Sequence, residues 1–153
     1  MWQNFWNLRI NDRLTQWKDF RHQLDRLPFE SAVVELNNMW STAPFVSYYL
    51  DPSEITNWPD PWTLIAENYW CDVAKCLGIL YTLYFTSHHD VPMEIRVYYD
   101  YKDKARYCIA WIDEGKYILN YWPFEIVNTE QLEEKQLKLL YQYSSKDLAL
   151  EKY

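Results

Sequence analysis

Two glycines, three histidines and three cysteines are all that this 153-residue protein has of those types. Each scarcity excludes something. Gly78 and Gly115 stand in neither a GxGxxG nor a GxxxxGK pattern, so a glycine-rich phosphate loop is not expected. Cys71, Cys76 and Cys108 include no CxxC pair, and the step from Cys71 to Cys76 sends the two side chains off a helix in different directions. That argues against zinc, and three reduced thiols suit a cytosolic protein. No cofactor and no metal are expected.

Basic charge is also short. Fifteen Lys and Arg stand against 22 Asp and Glu, a net charge of −7. Affinity for a nucleic-acid backbone depends on neutralising phosphates, so nucleic acid is not an expected partner. No strand interleaves basic and aromatic residues, and the carboxylates are too scattered for a mimic of DNA. The most apolar stretch, Val73 to Phe85, is short for a membrane span and is interrupted by Lys75. Met1-Trp2-Gln3-Asn4-Phe5-Trp6 lacks the basic and apolar regions of a signal peptide. The expectation is a soluble intracellular protein.

Aromatic residues are plentiful, at 19% with nine Trp and fourteen Tyr. That is core-forming material well beyond what a disordered protein holds. The length suits one domain spanning residues 1–153. Its helical part runs over about 11–86. Asn11 is placed to cap a helix to about Leu27, with Leu14, Trp17, Phe20 and Leu24 on one face. Pro28 suits the first turn of a second helix carrying Phe29, Val33, Leu36 and Trp40. The proline-rich stretch 44–62 reads as a loop with short helical turns. Asp60-Pro61 then opens a helix that breaks near Asn68 and continues to about Phe85. From Val73 onward it is apolar nearly all round, the pattern of a buried central helix. Cys71, Ala74 and Gly78 form a stripe of small side chains along it, which lets another element approach.

The period then switches from helical to two. Residues 92–122 predict a small antiparallel sheet of three strands, whose last two are joined at Asp113-Glu114-Gly115-Lys116, with glycine supplying a positive φ. That loop pairs Ile109 with Asn120, Trp111 with Ile118 and Tyr107 with Trp122. Asn120 is then an amide among aromatic and aliphatic neighbours, bonded to local backbone or orienting a group on another element. A C-terminal helix is expected over about 129–143, with a loosely attached tail after it in which Leu148 and Leu150 could add a short strand. The fold class is α+β, with a helical N-terminal half and a buried central helix packed on a small antiparallel sheet.

Cys71-Asp72-Val73-Ala74 at a helix start, followed by strands, resembles the transglutaminase-like core, a relative of papain-like cysteine domains, over roughly residues 60–123. The resemblance implies a nucleophilic cysteine at the helix N-terminus, activated by a histidine on one strand that an Asp or Asn on the next strand orients. Cys71 matches the nucleophile and Asn120 the orienting residue. The histidine position is occupied by Tyr107, or by Cys108 after a one-residue slip. A tyrosine is no base near neutrality. His88 and His89 follow the far end of a helix roughly 20 Å long, and His22 lies on a polar helix face. The triad is incomplete, and Cys71 is alternatively one more small residue of the buried stripe.

A second resemblance covers more of the sequence. Trp17-Lys18-Asp19-Phe20-Arg21, Leu24-Asp25-Arg26-Leu27-Pro28-Phe29 and Asn57-Trp58-Pro59-Asp60-Pro61-Trp62 resemble a family of small proteins of T-even-type tailed bacteriophages, cyanophages included. That likeness implies no activity of its own. It implies a protein made in the host cytoplasm, an accessory factor or a minor virion component.

Three functions follow as expectations. The first is a non-catalytic accessory protein that binds a host or phage protein through an aromatic groove, with Trp58, Trp62, Trp70, Trp111 and Trp122 as anchors. The second is an enzyme of amide or acyl transfer, or hydrolysis, using Cys71. The third is a minor structural virion component. Neither a membrane nor nucleic acid is expected as partner.

Overall fold

Apolar residues at helical spacing set the first layer of this computed structural model, which describes residues 2–132 and 136–153. Helices α1 (Trp2–Trp6), α2 (Ile10–Asp25) and α3 (Phe29–Ser41) bring Phe5, Trp6, Trp17, Phe20, Leu24, Val33, Leu36 and Trp40 into one core. Asp60 caps the short α4 (Pro61–Ile65), accepting the Thr63 amide at 2.8 Å, with Pro61 in the first turn. The expected break follows, and helix α5 (Asp72–Tyr84) is buried at every position from Val73 to Leu83.

Five strands form the second layer: β1 (Met93–Asp100), β2 (Ala105–Ile112), β3 (Tyr117–Trp122), β4 (Glu125–Val127) and β5 (Leu137–Ser144). Their order is β4-β3-β2-β1-β5, antiparallel throughout. Trp111 pairs with Ile118 as the hairpin loop dictates. Gly115 has φ 87°, and Asp113 and Glu114 beside it are left-handed too. One sheet face, with Cys108, Ala110, Ile112 and Leu119, joins the helical core. The other gathers Ile109, Trp111 and Ile118 with Tyr98, Val127 and Leu132.

Close packing at α5 depends on its one glycine. A Cβ on Gly78 would lie 2.2 Å from the Trp40 ring, so the indole rests directly on the helix backbone. Thr82, one turn on, accepts the indole N–H groups of both Trp17 (3.0 Å) and Trp40 (3.2 Å). Gly78, one member of the small-residue stripe, thus seats Trp40 of α3 against α5.

Four expectations need correction. The C-terminal helix over 129–143 does not form: Leu137–Ser144 is β5, and residues 133–135 of that expectation lie outside the described residues. Tertiary pairing decides it, because β1 has a free edge whose N–H and C=O groups β5 satisfies. Secondly, the sheet extends past 92–122, with β4 and β5 on its two edges. Thirdly, the tail is docked, with Leu150 buried and Tyr153 set edge-on to Tyr81 and Trp62. Lastly, α2 starts at Ile10, so Asn11 lies within its first turn and caps nothing.

Candidate functional site

Cys71 is delivered to its place by the residues before it. Trp70 is fully buried. Its ring packs on Trp6 (4.6 Å between centroids) and its indole N–H donates to the Leu64 carbonyl at 2.9 Å. Its backbone bridges to the segment after α3: the Trp70 amide donates to Pro44, and the Val46 amide donates to Trp70. Arg13, 4% exposed, donates to the carbonyls of Ile65, Glu67, Trp6 and Leu8. The guanidinium fork thereby clamps the α4–α5 connection to the N-terminal arm.

So held, Cys71 is the N-cap of α5, with extended backbone and a thiol that makes no capping bond. It is 1% exposed. With Phe45, Tyr48, Arg106 and Cys108 it lines a cleft of about 250 Å³. A neighbouring cleft of about 310 Å³ shares Phe45, Asp72 and Cys108 and adds Lys75, Tyr107, Asn120 and Trp122. Burial holds the Tyr49 hydroxyl above its ordinary range, and nearness to Cys71 and Glu67 adds to this.

Asn120 reaches this site by an unexpected route. Strict alternation along β3 would point it with Ile118, away from the helices. Instead its φ is 68°, and the β3–β4 register shifts between Ile118 and Trp122. A left-handed residue in a bulge turns its side chain through the sheet, and asparagine tolerates that conformation better than most residues. The Asn120 amide therefore donates to the Cys108 carbonyl (3.0 Å) and Asp72 Oδ1 (3.3 Å), and lies 3.6 Å from Cys76 Sγ. Among the described residues it makes no bond to Cys71. The thiol that Asn120 reaches is that of Cys76, which is fully buried and donates to the Cys108 carbonyl at 3.2 Å. Burial first, then the neighbouring Cys108, push the Cys76 thiol well above its ordinary range.

No imidazole enters the clefts among the described residues. His88 contacts the Leu24 and Leu27 carbonyls and packs on Phe29, and His89 contacts Thr86, both beyond the far end of α5. His22 lies on α2 and is exposed. The Tyr107 hydroxyl donates to Asp103 at 2.9 Å, and that bond is the main reason its pKa is pushed up to about 12. Tyr107 is a hydrogen-bonding wall of the cleft and no base near neutrality.

Two ionisable side chains line the second cleft. Lys75 is 8% exposed, and its ammonium lies 5.7 Å over the Phe45 ring. Burial draws its pKa down, against the opposing pull of Asp72. Asp72 is exposed as a residue, yet partial dehydration of its carboxyl raises its pKa, while the Asn120 bond and Lys75 oppose the rise. Among the described residues no three His, Cys, Asp or Glu side chains gather to hold a metal ion.

The five tryptophans expected as anchors do not share one groove. Trp122, 46% exposed, borders the cleft. Trp70 is core. Trp111 lies on the opposite sheet face under the Arg96 guanidinium, 3.8 Å from it. Trp62 stacks on Phe85 beyond the far end of α5, and Trp58 donates to Asp51 beside Tyr143. The aromatic rim instead comes from Phe45 (57% exposed) and Tyr48 (62% exposed), which strict periodicity could not place because they sit in a loop. In a larger hollow beside Trp111, Arg96 pairs with Glu94 and Tyr98, and Glu94 with Gln142.

A helix N-terminus bearing a buried cysteine, facing an antiparallel sheet, makes this an α+β domain with a transglutaminase-like fold. The solved structures similar to it include calcium-bound LapG of Legionella pneumophila, with TM-score 0.70, 12% identity, and coverage of 93% of this protein and 81% of that one. LapG and its EGTA-treated form each match with TM-score 0.69 at 14% identity, covering 94% of this protein and 82% of theirs. No protein-family model matches the sequence, and no curated protein matches it by sequence. No helix among the described residues is long and apolar enough to cross a membrane.

Proposed function

We propose that this domain is a non-catalytic protein-binding module, an accessory factor whose partner is a protein of a bacterial host or of a phage, met in the host cytoplasm or in the virion. Its docking site is the pair of clefts over the start of α5. The observation that carries this reading is the exposed aromatic rim of Phe45, Tyr48 and Trp122 around a cysteine with no imidazole in reach among the described residues. Large aromatic rings left in water are costly unless something covers them, and they are favoured anchors of interfaces. Asn120, in the place of an orienting residue, directs its amide to Asp72 and Cys108, so it supports the bulge and has no base to hold.

Partner capture from host or infected-cell lysate tests this. Trp122→Ala and Phe45→Ala are expected to abolish capture of a partner that Cys71→Ser still retains. Loss of capture on Cys71→Ser alone, with the rim variants unaffected, would overturn it.

A second reading rests on one observation: Cys71 sits at a helix N-terminus and lines a cleft. A helix N-terminus favours thiolate. On that reading a partner's imidazole completes an acyl-transfer site. It requires Cys71→Ser to destroy an activity that appears only when the partner is bound.

A further inference from the structure

Lys75 is a charged group at this site whose bonding is left open. Its side chain is over nine-tenths buried, yet its ammonium makes no hydrogen bond or ion pair among the described residues. The face of Phe45 lies 5.7 Å from it. An ammonium has three donors and no acceptor, and here the stem is buried while the donors face the cleft. Asp72 is the carboxylate that acts on it, but beyond ion-pair distance, and one Asp72 oxygen is taken by Asn120. The amine lines the 310 Å³ cleft together with Trp122 and Tyr107. The cleft therefore presents an ammonium that has no protein acceptor among the described residues, a place for an anion.

We infer that Lys75 anchors a single carboxylate of the bound partner, with the partner's adjoining apolar side chain seated against Phe45 and Trp122. This rests on the binding-module reading and names the chemistry that the module selects. A carboxylate adds an opposite net charge to the hydrogen bond that the Lys75 ammonium donates, which a neutral peptide carbonyl does not, and this favours carboxylate. A phosphate fits less well. One lysine faces the ligand, Asp72 stands close by, and the protein has a net charge of −7, so a dianion meets more repulsion than attraction. The carboxylate belongs either to a polypeptide's C-terminus or to an Asp or Glu side chain, and the two present the same chemistry to Lys75.

Three peptides separate these sources: acetyl-Gly-Ala-Phe with a free carboxylate, its amidated counterpart, and amidated acetyl-Gly-Glu-Phe. Affinities are read by NMR titration of the intact protein and of three variants. The expected result is that at least one acidic peptide binds about tenfold or more tightly than the neutral one. Lys75→Met removes that preference, so that acidic and neutral peptides bind alike. Lys75→Gln, which keeps donors without charge, serves as a second variant and gives an intermediate preference. Whichever acidic peptide is preferred identifies the source. Equal binding of all three peptides, a preference that survives Lys75→Met, or no binding of any peptide would each overturn the assignment. Failure here is separable from failure of the docking site itself. Trp122→Ala weakening all three peptides alike, with no acid preference, would leave the module standing and remove only the role of Lys75.

Discussion

The carboxamide of Asn120 is held 3.0 Å from the carbonyl of Cys108 by a left-handed backbone, on the strand next to its own. Two separate contributions meet in that residue, a conformation and a set of bonds, and substitution can part them. Asn120→Gly keeps the positive φ without strain but loses the amide bonds. Asn120→Ala loses the bonds and keeps a Cβ in a left-handed region that costs L-residues about 1–2 kcal/mol, without the amide that lets asparagine tolerate it. Chemical denaturation should therefore rank glycine above alanine by about 1 kcal/mol, with both below the parent. Equal stability of the two variants would mean that the bulge relaxes.

The three thiols should be slow. Cys71 is 1% exposed, Cys76 fully buried and Cys108 5% exposed, and the Cys76 thiol is pushed well above its ordinary range. Alkylation of the native protein near neutral pH, followed by mass spectrometry of peptides, should find little modification at any of them, and full modification after unfolding. Rapid labelling confined to Cys71 would favour the enzyme reading instead.

Gly78→Ala should be among the most disruptive small substitutions available. The added methyl would meet the Trp40 ring 2.2 Å away, and that indole is also tied to Thr82. Overpacking of this kind costs about 1–3 kcal/mol. A fall in thermal midpoint is expected, with a second change, Trp40→Leu, partly restoring it. Additive losses in the double variant would deny the contact.

Burial of the Lys75 amine sets a pH dependence of known sign. Its folded-state pKa lies below the unfolded value, so the unfolded polypeptide binds more protons in the window between the two. The destabilisation is fully present below the lowered pKa. It is relieved as pH rises through the lowered pKa toward the unfolded value of 10.5. Lys75→Met should raise stability at pH 7 by about 1 kcal/mol, as replacement of buried charge by apolar packing often does. It should also flatten the alkaline rise. Denaturation midpoints of both proteins between neutral and alkaline pH check this, and parallel curves would refute it.

Elements with a strong period were readable from residues alone. The Asp60-Pro61 start, the interruption near Asn68 and the all-round apolar α5 each follow from local chemistry, and the loop at Gly115 sets the Trp111–Ile118 pairing. What escaped depends on distant partners or on backbone handedness. The segment Leu137–Ser144 has acidic residues ahead of it like a helix start, and becomes a strand because β1 offers it an edge. Alternation places Asn120 with Ile118 and Trp111, and one residue at φ 68° undoes that. Trp70 resembles a binding anchor because it precedes Cys71, but its indole N–H finds the Leu64 carbonyl inside the core. Phe45 and Tyr48, the actual rim, sit in an aperiodic loop that gives no such signal.

The position of β5 has a consequence for how the molecule assembles. β1 lies between β2 and β5, and the segment that completes it arrives about forty residues later in the sequence. Until then one flank of Met93–Asp100 offers unpaired amides and carbonyls beside the apolar residues Met93, Ile95 and Val97. A polypeptide emerging from a ribosome would expose that flank for the whole synthesis of β2 to β4, a sticky interval in which self-association competes with folding. Closing the sheet is thus a long-range, late event. The seam between β1 and β5 is where a chaperone, or a second nascent copy, would first find purchase.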